Sequence, residues 1–271
     1  MNRWIFVALS VLANGICLAQ TAAMNDKKDP AFEANPTFAV ATVRLSPEGK
    51  ADEFPSTQIR GHRFVATHVS MNDLIGYAYG MHSQQIDHAP AWFGLERFDV
   101  EGVPDTEILP TRDEYRAMVQ KTMVERFGLK FHPAKKMMTA YVLSVDSAGL
   151  KIQETVGQPY AAEGWGVSRG RLQVKNMSFA GAARVMQRTV FDRPVVDGTG
   201  LKGRYTFDLR WHPDEAQFGQ MRGLSVPGDE GSEARDDIYT AVRKQLGLKI
   251  QAKKTMVDVM VIDAASQPQA N

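Results

Sequence analysis

The chain has 271 residues, 44% of them apolar, with 32 Lys and Arg against 31 Asp and Glu, and one cysteine. That length and apolar share suffice for a core that needs no staples, and the even charge balance, with no basic stripe, argues against a nucleic-acid footprint. The single cysteine, Cys17, lies near the amino terminus, so loss of that segment leaves no thiol for a disulfide, a cysteine–zinc site or a cysteine nucleophile.

Arg3 followed by the apolar run Trp4 to Ala13 reads as a secretory signal, too short for a span of about 20 residues. Small residues before Ala19 and Ala23 place cleavage after one or the other, so residues 1–19 are the expected signal peptide, with 23 as the alternative end. A lipidated Cys17 is disfavoured by the bulky Ile16 before it. No later apolar run spans a bilayer, so the mature chain is expected to be exported, periplasmic or secreted, without a transmembrane segment. Residues 20–36 are polar and read as a disordered lead-in. A strand is expected from Phe38 to Arg44, then loop from Ser46 to Ser56.

From there the sequence runs through one pattern twice. An offset of 108 carries Arg63-Phe64 onto Arg171-Leu172 and Ser70-Met71 onto Ser178-Phe179; an offset of 109 carries Phe98-Asp99 onto Phe207-Asp208; an offset of 119 carries Phe127-Gly128-Leu129-Lys130 onto Leu246-Gly247-Leu248-Lys249. In each copy a strand leads to a serine at a helix N-cap, Ser70 or Ser178, with Asp73 completing a capping box in the first. Met71, Leu74, Ile75 and Ala78, and then Phe179, Ala182, Ala183 and Met186, form stripes at helical spacing. Ile86 and Val195-Val196 mark short strands; Phe98 and Val100, and then Tyr205, Phe207 and Leu209, alternate as strands do. A second helix carries Val119, Met123 and Phe127, matched by Ile238, Val242 and Leu246, and ends on Gly128 or Gly247. Two more strands close each copy, with Lys135-Lys136 and Lys253-Lys254 as the solvated turns between them. The expected fold is α+β: two tandem repeated modules, 37–146 and 170–265, each with two helices packed on a small mixed sheet. A linker at 147–169 holds one short strand at Leu150–Ile152; the second module carries a mobile loop at 212–235; residues 266–271 form a tail.

The motifs that look chemical sit in the wrong context. Gly198, Gly200 and Gly203 spell a dinucleotide fingerprint, but the chain continues into an alternating strand instead of a helix, which makes a hairpin-type connection the better reading. Gly166, Ser168 and Gly170 spell a nucleophile elbow that precedes a strand. His62, His68, His82 and His88 are spaced as surface and loop histidines, with His82 and His88 the one pair worth testing as metal ligands. Trp92 and Trp211 read as core; Trp165, in a Gly-rich linker, reads as exposed. No catalytic residue, cofactor site or firm metal site is expected.

The segments Phe38 to Arg44, Gly61-His-Arg-Phe64, Ala89-Pro-Ala-Trp92, Glu96-Arg-Phe-Asp99, Glu125 to Lys130, Arg193-Pro-Val-Val-Asp197 through Leu209, Gln245 to Lys249 and Val261-Ile-Asp263 together resemble an exported bacterial family expanded in acidobacteria and known as a domain of unknown function. The resemblance implies no activity, substrate or cofactor. The order of elements in each half also resembles the small periplasmic modules of secretins and TonB-dependent signalling receptors, an analogy of fold alone. The function expected is a non-catalytic exported binding or adaptor protein that meets an envelope protein partner through an edge strand or the groove between modules. The alternative is a small-ligand binder or enzyme with its site between the modules, drawing on Arg97, Asp99, Asp197, Asp208 or the histidines, with Asp99 and Asp208 equivalent.

Overall fold

The computed structural model describes residues 36–47, 55–157, 163–215, 217–218 and 234–268, and Pro36–Asn271 form one compact unit. The expected signal peptide, its cleavage sites, nearly all of the lead-in and most of the loop at 212–235 lie outside the described residues. The fold is α+β. Strands β1 (Phe38–Leu45), β2 (Ser56–Arg60) and β3 (Arg63–Val69) lead into α1 (Met71–Tyr79). Strand β4 (Ile86–Asp87), α2 (Trp92–Leu95), β5 (Phe98–Pro104), α3 (Arg112–Phe127) and β6 (Lys130–Val145) complete the first half in chain order. The second half has β7 (Gly164–Ser168), β8 (Arg171–Ser178), α4 (Phe179–Thr189), β9 (Val195–Asp197), β10 (Arg204–Arg210), α5 (Ile238–Ala241) and β11 (Leu248–Ala264), with a π-helical turn at Val242–Leu246 after α5.

Three sheets result: antiparallel β1-β5-β3-β2, antiparallel β10-β8-β7, and mixed β4-β11-β6-β9. The expected helical stripes are buried at every named position, and Phe98, Val100, Tyr205, Phe207 and Leu209 all point into core. Ser70 and Asp73 form the capping box, and the Ser178 hydroxyl accepts from Gly181 N. Gly128 and Gly247 close their helices at φ 57° and 69°, the left-handed region that glycine enters without a Cβ penalty.

The largest difference from the sequence reading is in the third sheet. The two strands expected on either side of Lys135-Lys136 are one strand, β6, and those around Lys253-Lys254 are one strand, β11; the two pair antiparallel from Leu248↔Val145 to Ile262↔Phe131 and beyond. The lysines are therefore mid-strand residues, not turns: Lys135 faces Asp258 and bonds it at 2.7 Å, and Lys136 reaches Asp87 at 2.9 Å. From Lys135 to Thr139 and from Gln251 to Met256 no residue of the ribbon is buried, so no apolar alternation marks this stretch. Pro133 fits because β9 covers β6 only at Tyr141–Leu143, leaving an outer edge where a missing N–H is tolerated.

The ribbon also carries each core across the chain. Met260 and Ile262 of β11 pack into the first core with Phe64, Leu74, Phe98 and Phe127. Leu143 of β6 packs into the second with Leu172, Phe179 and Trp211. Strand β4 pairs parallel with β11 at Ile86↔Met260, and β9 with β6 at Val195↔Tyr141. Packing thus crosses the chain-order modules 37–146 and 170–265, and the one mixed sheet is shared between halves.

Smaller differences follow from short-range signals. Strand β2, helix α2 and strand β7 were not expected, being short and, Phe93 apart, half-buried or exposed. The linker region contains β7, while Leu150 and Ile152 pack on the second core without forming a strand. Gly198 to Gly203 joins β9 to β10, which lie in different sheets, so it is a crossover and not a hairpin. No described helix is long and apolar enough to cross a membrane.

Candidate functional site

The entry to each long helix is built alike. Thr67 and His68 bulge opposite Asp99, and Lys175 and Asn176 bulge opposite Thr206, with His68 at φ 53° and Asn176 at φ 48°. His68 N donates to Asp99 Oδ1 at 2.9 Å, and Asn176 N to Thr206 Oγ1 at 3.0 Å. The register thus sets Asp99 against Thr206, which corrects the expected equivalence of Asp99 with Asp208. Asp208 instead takes both arms of Arg171, at 2.9 and 2.7 Å, and that bond holds its carboxyl below the ordinary range.

The bulges aim α1 and α4 so that their solvent-side residues face a cleft. Thr111, whose hydroxyl accepts from Glu114 N while Glu114 bonds Thr111 N, starts α3 and sets Arg112 and Arg116 on the same cleft. The β7–β8 hairpin, Trp165 paired with Val174, brings in Trp165 from the second half. Two adjoining cavities of about 610 and 470 Å³ share Tyr77, Arg116, Trp165 and Arg188. This is the volume of a small-molecule site.

The cleft is cationic in its free groups. Arg116 bonds Asp113 at 2.5 Å. Asp73 is committed to the Ser70 cap, and Glu163 to Arg204. Among the described residues no carboxylate lies within salt-bridge distance of Arg112, Arg184 or Arg188. Arg188 is half-buried, with its guanidinium 5.9 Å from the Tyr77 ring centre. Burial, and then the like charge of Arg116, lower its pKa. Burial raises that of Tyr77 against the pull of Arg116, Arg188 and Arg112. Asn72 Oδ1, on the same cleft, is buried and receives no hydrogen bond from the described residues.

The residues singled out in the sequence lie elsewhere, Trp165 excepted. His82 is buried; its Nδ1 accepts from Gln84 N at 3.1 Å, its Nε2 has no described partner, and burial lowers its pKa to about 4. His88 is exposed, at φ 55° after β4. His62 Nε2 meets Ile108 O at 2.9 Å. Among the described residues no three His, Cys, Asp or Glu side chains are grouped to hold a metal ion. Arg97 bonds Gly94 O, and Asp197 accepts from the Thr199 amide and hydroxyl; neither lines the cleft. Ser168, of the elbow-like motif, pairs with Arg171 in the β7–β8 hairpin. Trp211 is fully buried and donates to Gln217 at 2.6 Å, while Trp92 is packed against the first core. Tyr77, Arg116 and Arg188 carried no motif; only the packing of α1, α3 and α4 brings them together.

A family model described as a protein of unknown function, DUF3738, matches residues 72–265. No curated protein and no solved structure matches the chain.

Proposed function

We propose that this chain, which belongs to the DUF3738 family, is an exported, non-catalytic binding protein whose ligand seats in the cleft between its two halves. One observation carries the reading: the cleft is made jointly, with α1 and α3 from the first half and α4 and Trp165 from the second. Shared construction lets a ligand bind both halves at once. Among the described residues the lining includes cations and aromatics without a nucleophile hydrogen-bonded to a base, which favours binding over catalysis. The recurrence of bulge, cap and stripe in both halves supports the reading of a duplicated framework.

Native mass spectrometry of the tagged protein isolated from its host's envelope tests this. A bound small molecule, present with the wild type and lost with Trp165→Ala, is the expected result. Trp165→Ala retaining the same species would place the site elsewhere.

A protein partner is the second reading, favoured by the outer edge of β2. Among the described residues that strand pairs on one side only, with β3, and its Thr57, Gln58 and Ile59 border the cleft. An edge strand is a template for an added one. Crosslinking in the envelope that is abolished by Thr57→Pro, with the fold retained, would support it; a crosslink indifferent to β2 would end it.

A further inference from the structure

We infer that the ligand is a small organic anion, a carboxylate or phosphate on a planar frame, with its charge held by Arg188 and Arg116 and its frame against Tyr77 and Trp165. This rests on the reading of the cleft as a binding site and adds the chemistry of what it takes.

Arg188 is the centre of the argument. Five N–H donors sit on a half-buried group whose described contact is an aromatic face. A guanidinium removed from water is costly unless its charge and donors are met. Here the charge that acts on it most strongly is a second guanidinium, Arg116, which borders the same two cavities, and the one acid that acts on it, Asp73, is held in the Ser70 cap. Asp113 offsets one positive charge, that of Arg116, and leaves the other. Two arginines converging without enough acid form a fork that suits carboxylate or phosphate oxygens.

The rest of the lining narrows the frame. Tyr77 and Trp165 each border both cavities, aromatic rings beside the cationic end, with Arg188 over the Tyr77 ring. The two cavities, about 610 and 470 Å³, admit a small molecule and not a folded partner.

The test uses the mature chain and paired probes that differ in charge: benzoate against benzamide, indole-3-acetate against indole-3-acetamide, and phenyl phosphate against phenol, read by calorimetry. The expected result is binding of one or more of the anions, at least about tenfold tighter than the neutral twin. Arg188→Gln should weaken the anion about 10- to 100-fold, the loss expected for a charged hydrogen bond, and should leave the neutral twin unchanged. Arg243→Gln, exposed on the turn after α5 and outside both cavities, controls for general loss of charge. Phosphate preferred over carboxylate, or the reverse, identifies the headgroup. If anion and neutral twin bind alike, and Trp165→Ala removes both, the inference about charge is overturned while the cleft stands. If no probe binds, both readings fall.

Discussion

Helices α1 and α4 are entered through matching bulges, start on serine caps, and bury the same four-position stripe, yet they leave their strands behind in different ways. Helix α1 stops at Tyr79, where Gly80 takes φ 70°, and the chain turns at once through His82 toward β4. Helix α4 continues to Thr189. By the offset that matches the serines, its last turns place Arg184 and Arg188 where α1 has Gly76 and Gly80. The glycines and arginines then meet: a Cβ on Gly80 would stand 2.5 Å from Arg184 Cδ, and Gly76 and Arg188 border the same cavity. What the two helices share holds the cores; where they differ, the cleft forms. Framework and site are thus separable, and four measurements press on that separation.

The largest effect should come from Gln187, the residue that joins the two helices. Its Nε2 donates to Gly80 O at the end of α1, and its Oε1 accepts from Val195 N at the start of β9. It is buried, so Gln187→Ala leaves both backbone groups without these bonds, at about 1–3 kcal/mol each. A loss of roughly 3–5 kcal/mol in urea denaturation is expected. A loss under about 1 kcal/mol would mean that the ends of α1 and α4 are independent.

The exit of α1 should also be the acid-sensitive one. His82 is buried beside Asp192 and Arg193, and burial holds its pKa at about 4. Unfolded, it titrates near the ordinary histidine value of about 6.5. The unfolded chain therefore takes up the proton first as pH falls, so the stability is whole above about pH 6.5 and declines toward pH 4. Between pH 7 and 4.5 the decline should be about 2–3 kcal/mol. Protonation also removes the Nδ1 lone pair that accepts from Gln84 N. His82→Gln should flatten the urea midpoint over that range; an unchanged slope would assign the acid lability to carboxylates. The Asp192 carboxyl, held below its ordinary range by its bond to Arg193, acts only at lower pH.

How much of this the sequence shows divides along the same line. Ser70, Ser178, Gly128, Gly247 and both apolar stripes were legible because each obeys a local rule: a cap, a left-handed terminus, a period of 3.6. The β6–β11 ribbon was not, because its strands lie far apart in the chain and its middle has no buried face to impose alternation. The equivalence of Asp99 with Thr206 was hidden by the bulges, which shift register by one residue without changing composition. The cleft was hidden more thoroughly. Arg188 in the sequence is one more charge on an amphipathic helix, and its neighbours Tyr77 and Arg116 come from two other helices. Trp165 was the one visible sign, an aromatic in a polar stretch, and it proves half-buried on the cleft and packed against the second core.

The caps should sharpen the comparison by a smaller amount. Ser70 is buried, accepts from Asp73 N at 3.1 Å, and donates to Asp73 Oδ2 at 2.6 Å; Ser178 makes the single bond to Gly181 N at 3.1 Å. Loss of a serine cap costs about 0.5–2 kcal/mol. Ser70→Ala belongs at the upper end and Ser178→Ala in the middle, so chemical denaturation should rank them in that order. Equal losses would mean that the Asp73 half of the box adds nothing.

The smallest effect is the most telling for function. Arg188→Gln removes a cation–aromatic contact that contributes about 0.5–1 kcal/mol at a partly exposed site. It also removes a desolvated charge that repels Arg116. The two changes oppose one another, so the melting temperature of the free protein should move by no more than a few degrees, in either direction. A residue that packs for stability would instead cost as much as Gln187, one position before it on the same helix. Adjacent residues with opposite signatures would then separate the two roles of α4: Gln187 ties the halves together, and Arg188 is spent on what the cleft receives. A loss of several kcal/mol on replacing Arg188 would make it part of the framework and remove the argument for a waiting positive charge.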